Sequence, residues 1–161
     1  MDGLQPPFSG ALAIKPMKYT VIQASDIDGP ELAELRVVAM KPSLEAVGRF
    51  DPNRARERFI SGFSSLSTWK ILINNQTVGF YTYELKEDHI WLSHLYLHPE
   101  RQNLGVGGRV LDQIKSMAAK HNCPVRLGAL KQSRSNDFYI KHGFKRTHDE
   151  EWDIYLSLIH I

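Results

Sequence analysis

The sequence predicts an α/β (α+β) fold: a mixed, mostly antiparallel central sheet of about six or seven strands, flanked by helices on both faces. Three observations carry this. Residues 68–74, 77–85 and 90–97 are alternating apolar runs joined by tight turns, the pattern of an antiparallel meander. One long amphipathic stretch follows, with Val110, Leu111, Ile114, Met117 and Ala118 forming a single apolar stripe at helical spacing. The rear of the chain then alternates strand, helix and strand, which sets helices against the faces of a sheet.

Taken in order, residues 18–23 alternate as a strand. Pro30 suits a helix start, and Leu32, Leu35 and Ala39 continue at helical spacing over residues 30–40. Lys41-Pro42 predicts a stop there, with two shorter helical pieces at 43–49 and 53–63 separated by Asp51-Pro52. The meander follows, with Trp69, Ile71 and Ile73 on one strand face, and Pro99 ends its third strand. The long helix spans about 105–120. A strand at 124–130, a short helix at 135–141, a strand opening at Phe144 and an alternating strand at 152–158 complete the chain.

A chain of 161 residues suffices for one domain with its own core. Residues 1–16, broken by Gly3, Pro6, Pro7, Gly10 and Pro16, read as a flexible extension, and residues 17–161 as the domain. Twenty basic and 18 acidic residues give +2, which argues against a nucleic-acid partner. No apolar run approaches the roughly 20 residues needed to cross a bilayer, so no membrane partner is expected. A lone cysteine, Cys123, excludes an intramolecular disulfide and reads as a packing residue. A cytoplasmic location fits. No metal is expected: His94 and His98 are separated by ~13 Å on an extended strand, too far for one ion.

The most informative segment is the glycine-rich turn from Leu95 to Arg109. A strand ends, a loop follows, and Gly105, Gly107 and Gly108 open the long helix. Helix N-termini present unpaired N–H groups and a partial positive charge, and glycines allow those groups to close around a phosphate. A P-loop is excluded because no lysine follows Gly107 or Gly108. A dinucleotide fingerprint is excluded because its third glycine position falls on Val110.

The spacing Gln102-x-x-Gly105-x-Gly107 instead resembles the pyrophosphate loop of the GCN5-related N-acetyltransferases (GNAT). A second segment, Asn136-Asp137-Phe138-Tyr139 leading to Gly143-Phe144, is similar to that family's closing motif. The two are joined by a helix and a strand, and the resemblance spans about residues 17–158. It implies acetyl-coenzyme A as co-substrate and a small-molecule or peptide amine as acceptor. It implies a coenzyme site built from Leu95, Tyr96, Leu97, Gln102, Asn103, Leu104, Gly105, Val106, Gly107, Gly108, Asn136 and Tyr139. The coenzyme arm would pair like an added strand with Leu95 and Leu97, and the Leu95 N–H would face the developing oxyanion. A homodimer is the assembly that the resemblance implies.

Tyr139 is the general acid that the resemblance implies, since a phenol of pKa ~10 can protonate a thiolate whose conjugate acid lies near ~8.5. A core aromatic is the alternative reading. Asn136 reads as a coenzyme partner, a helix cap, or both. No glutamate lies on the matching strand to serve as base. His94 titrates in the right range and reads either as that base or as a structural histidine. Glu84 is a second base, or a solvated carboxylate. Trp91 reads as a sheet-packing aromatic or a wall of the acceptor pocket. Glu45 and Arg49, with Arg54, Arg56 and Arg58, read as a solvated helical face or as selectors of an acidic or zwitterionic acceptor. Without an evident base, a coenzyme A-binding sensor without turnover is the alternative function.

Overall fold

The computed structural model describes residues 18–158; the extension expected at 1–16 lies outside them, as does Met17. Seven strands form one sheet in the order β1-β2-β3-β4-β5-β7-β6. In chain order the elements are β1 (Thr20–Gln23), α1 (Gly29–Ala46), α2 (Pro52–Gly62), β2 (Thr68–Ile73), β3 (Gln76–Leu85), β4 (Ile90–Leu97), α3 (Val106–Lys120), β5 (Val125–Leu130), α4 (Ser135–Lys141), β6 (Lys145–Asp149) and β7 (Asp153–Leu158). Every neighbouring pair is antiparallel except β4 with β5. The mixed, mostly antiparallel sheet expected from the sequence is therefore the fold.

The sheet carries a core on each face. On one, Val106, Val110, Leu111, Ile114 and Ala118 of α3 pack on Ile71, Ile90, Val125, Leu127 and Leu156, with Tyr139 and Phe144 closing the end. On the other, Leu32, Ala33 and Leu35 of α1 and Phe59 of α2 cover Phe80. Full burial of each large aliphatic or aromatic side chain contributes roughly 1.5–3 kcal/mol, so both helical layers are held by apolar area. Cys123 is buried, as a packing residue should be.

The expected break at Lys41-Pro42 is corrected: α1 is one helix of 18 residues that runs through Pro42. Proline removes the N–H that would bond the Val38 carbonyl. Val38 is on the exposed side of the helix, at 42% exposure, where solvent can reach the turn that has lost its donor. The helix therefore continues to residues that border the functional cleft, and Ser43 Oγ donates to Ser133 Oγ at 3.1 Å ahead of α4.

Three bulges shape the sheet, since pairing shifts by one residue in β2–β3, β3–β4 and β6–β7. In β4 the extra residue is Ser93: Thr82 opposes His94 while Tyr83 opposes Leu92. An extra residue reverses the face of everything beyond it. Ile90 and Leu92 before the bulge, and Leu95 and Leu97 after it, thus all reach the α3 side. His94 falls among the aromatic rings of the α1–α2 side, 5.3 Å from Phe59 and 6.1 Å from Phe80 between ring centroids.

Candidate active site

β4 and β5 pair through only two residue pairs, Ile90 with Val125 and Trp91 with Arg126. Immediately beyond, the Ser93 bulge bends β4, and the two strands part. Ser93 Oγ donates to the Thr82 carbonyl at 3.2 Å, which pins the bulge to β3. The gap is a cleft of about 1650 Å³ bordered by every residue from Leu92 to Leu97. A strand edge whose neighbour has departed keeps a row of main-chain donors and acceptors free for a ligand.

At the far end of β4 the chain turns into α3. Gln102 Nε2 donates to the Leu97 carbonyl at 3.0 Å, folding the loop back onto the strand. Asn103 and Gly105 both have positive φ, 66° and 81°, and a side chain at Gly105 would meet open space. The first bond inside α3 runs from the Arg109 N–H to the Gly105 carbonyl at 3.2 Å. The N–H groups of Val106, Gly107 and Gly108 therefore head the helix without intrahelical acceptors.

The glycines divide their work in a way the sequence did not reveal. Gly105 provides the backbone turn. A Cβ at Gly107 would lie 3.4 Å from Leu97 Cδ1 and 3.5 Å from Phe138 Cζ, and one at Gly108 would lie 2.9 Å from His142 Cε1. These two let α3 approach β4 and α4, while both border the cleft. Val106 is fully buried and anchors the helix start, whereas Leu104 is exposed. Arg109 borders the cleft with its guanidinium 4.7 Å from the Tyr19 ring.

Tyr139 is buried, packs against Phe138 and Phe144, and borders the cleft. Burial, with a smaller contribution from Tyr96, holds its hydroxyl above the usual tyrosine range, so it stays protonated. Asn136 is inside α4 rather than at its cap. Its Nδ2 donates to the Leu130 and Ser133 carbonyls at 3.0 and 3.1 Å, and its Oδ1 is buried with no partner among the described residues.

His94 borders the cleft too, but burial and then the positive charge of Arg36 depress it to about 4. It is neutral at pH 7 and a weak proton acceptor. Its ring stands within 3.5 Å of the Tyr96 hydroxyl, which donates to Met40 Sδ at 3.4 Å. This environment favours the structural alternative. Glu84 is exposed and paired with Lys86 at 3.0 Å; it opposes Trp91 at the closed end of the sheet. Neither Glu84 nor Trp91 borders the cleft, nor does Glu45, whereas Arg49 does, with its guanidinium 4.3 Å over the Trp152 ring.

A family model described as an acetyltransferase (GNAT) domain matches residues 64–146, from before β2 into β6, and so takes in the split strand, the helix start and Tyr139. The chain belongs to the GNAT family. Among solved structures, the PaiA N-acetyltransferase from Thermoplasma acidophilum, in complex with coenzyme A, superposes with a TM-score of 0.75 at 17% identity over 89% of this chain and 100% of that one. YjaB from Escherichia coli, in its apo form, gives 0.71 at 20% identity over 90% and 100%. The ribosomal-protein-S18-alanine N-acetyltransferase from Escherichia coli gives 0.65 at 16% identity over 88% and 93%. At these identities the likeness is one of fold. Among curated proteins, no match is found.

The GNAT cleft of this chain suits a long anionic cofactor on two counts. It is larger than the ~300–1,000 Å³ of an ordinary small-molecule pocket. It has a free strand edge beside a helix N-terminus. Asn136, expected there from the sequence, does not border the cleft, and its Oδ1 is buried. Sequence reasoning missed Arg36, which borders the same cleft. Its signal was a single arginine one helical turn after Leu32, on the stripe otherwise made by Leu32, Leu35 and Ala39. Among the described residues, no group of three or more His, Cys, Asp or Glu side chains is arranged to hold a metal, and no helix is long and apolar enough to cross a membrane.

Proposed function

We propose that the chain transfers an acetyl group from acetyl-coenzyme A directly to a primary amine. The observation that carries the proposal is the free edge of β4 running into the uncapped start of α3. Acetyl-coenzyme A supplies an acetyl group activated as a thioester, and a thiol as leaving group. In this reading the N–H groups of Val106, Gly107 and Gly108, with those of the loop from Gln102 to Gly105, hold the pyrophosphate. The main chain of Leu95 and Leu97 holds the extended arm in strand fashion. Asn136, which does not itself border the cleft, supports that arm only indirectly, by tying α4 to the Leu130 carbonyl at the end of β5. The Leu95 N–H is aimed at the carbonyl oxygen, a placement that stabilises developing negative charge by roughly 3 kcal/mol.

The amine nitrogen forms a bond to the acetyl carbon while the carbon–sulfur bond breaks. Tyr139 Oη gives its proton to the departing sulfur and is reprotonated from solvent. The amine's surplus proton leaves through water in the open cleft, because His94 is too weak a base to retain it. The products are an N-acetylated amine and the free coenzyme thiol.

Calorimetry with coenzyme A, followed by steady-state thiol release over an amine panel, tests the reading. Saturable binding with amine-dependent thiol release is expected. Binding without turnover on any amine would assign the chain to the second reading, a coenzyme-binding sensor, which the lack of a strong side-chain base in the cleft favours. Absence of binding would sink both.

A further inference from the structure

The cleft continues past β4 onto the α1–α2 face of the sheet, and there its character changes. Arg36 of α1, Arg54 and Arg58 of α2 and Arg49 between them all border it. Asp51, Arg54, Ala55 and Arg58 are spaced to share one side of α2, and all four border the cleft. The one carboxylate from this region that borders the cleft, Asp51, is engaged as the helix cap, accepting the Arg54 backbone N–H at 3.1 Å. No ion pair among the described residues involves Arg36, Arg49, Arg54 or Arg58. By contrast Arg56, which does not border the cleft, is paired with Glu34 of α1.

Arg36 is the most telling of the four. It is half-buried, its Nη1 donates to the Ala55 carbonyl at 2.7 Å, and its Nε is buried without an acceptor. A guanidinium withdrawn from water without a carboxylate carries an uncompensated desolvation cost. An oxyanion entering the cleft would remove it, since the planar fork of arginine matches carboxylate and phosphate geometry. α1 and α2 cover the sheet face opposite to α3, so the nucleotide end of a coenzyme held at the start of α3 is not the partner of these arginines.

We infer that the acceptor amine carries an anionic oxygen group, a carboxylate or a phosphate, held by Arg36, Arg54 and Arg58 on the α1–α2 side of the cleft. The inference rests on the acetyl-transfer reading and names its substrate class. The same positive field also disfavours an ammonium ion near β4, as Arg36, after burial, already disfavours protonated His94. An acceptor anchored by its anion would thus present a neutral amine without a side-chain base.

The test compares matched acceptors: an amino carboxylate against its amide, and an aminoalkyl phosphate against the corresponding amino alcohol. The anionic member of at least one pair should have a kcat/KM at least tenfold higher; the pair that responds tells carboxylate from phosphate. Affinity is also read without turnover, by titrating the N-acetylated product and its neutral counterpart into coenzyme-loaded protein. The anion should bind at least tenfold more tightly. Arg58→Gln and Arg54→Gln should each lower the anionic-to-neutral ratio at least fivefold through KM, while Arg56→Gln, with the same charge change outside the cleft, should leave it unaltered. Equal affinity for anion and neutral counterpart, or no heat with either, overturns the inference whether or not turnover is seen. Failure of coenzyme A itself to bind instead overturns the acetyl-transfer reading.

Discussion

Gln102 Nε2 donates to the Leu97 carbonyl over 3.0 Å, so the side chain that opens the glycine loop is spent on holding that loop against the end of β4. In the acetyl-transfer reading its contribution to coenzyme binding is therefore one of position. A net hydrogen bond contributes roughly 1 kcal/mol. Gln102→Ala is expected to weaken coenzyme A about fivefold by calorimetry, with the melting temperature little changed. Unaltered affinity would mean that the loop holds its shape without this contact.

Tyr139 separates binding from chemistry. Its ring packs between Phe138 and Phe144, and a phenylalanine keeps that packing. Tyr139→Phe is expected to lower turnover on the order of 10²-fold, the usual scale for losing a general acid, while coenzyme affinity stays within a factor of two. Because burial raises the hydroxyl, the parent enzyme should show no loss of rate attributable to this group as pH rises to about 10. Equal turnover in the variant and the parent would remove Tyr139 from the chemistry.

Much of the architecture was legible because it is written in periodicity. The meander is local and regular, and the 135–141 helix was read with the bounds it has. Two features were not legible for the same reason: each breaks a local rule under tertiary control. Pro42 signals a stop, yet the helix continues, with the turn that loses its donor on the exposed side at Val38. Strand alternation through residues 90–97 hides the Ser93 bulge, although the switch from apolar even positions, Ile90 and Leu92, to apolar odd ones, Leu95 and Leu97, records it. That bulge decides which residues meet the cleft. Trp91 lies before it, where β4 is still paired with β5, and Glu84 opposes Trp91 on β3, so neither joins the site. His94 lies after it and does. Arg36 went unread because one basic residue in a helical stripe has no motif around it.

Close approach of β3 and β4 makes Gly79 the stringent glycine of the fold. A Cβ there would run into the Tyr96 carbonyl oxygen and the Leu97 side chain. The former is backbone and cannot swing aside. Gly79→Ala is expected to destabilise by about 2 kcal/mol or more in urea unfolding, in the range of forced overpacking. It should also disturb coenzyme binding, since Tyr96 and Leu97 belong to the cleft edge. Gly62→Ala, at the end of α2 with nothing within 4 Å of its Cβ, is the control; it should be neutral or stabilising by up to ~1 kcal/mol. Similar values for the two would contradict the close approach of β3 and β4 at Gly79.

His94 gives the fold an acid-sensitive element whose sign is fixed. Burial first, then Arg36, lowers it from the ordinary 6.5 to about 4. Between those values the unfolded chain takes up a proton that the folded protein refuses. Stability therefore falls as pH drops through that window, and the loss is complete below it; above pH 6.5 the group has no effect. A shift of this size corresponds to about 3 kcal/mol. His94→Phe keeps an aromatic ring beside Phe59, Phe80 and Tyr96 and removes the titration. Asp28 and other depressed carboxylates also lose stability in acid, so the comparison is between variant and parent. Urea unfolding at pH 7.5 and 4.5 should show an acid loss smaller in the variant by roughly 2.5 kcal/mol, since pH 4.5 lies just inside the window. Parallel losses in the two would mean that His94 titrates normally, which would restore it as a base for the acceptor amine.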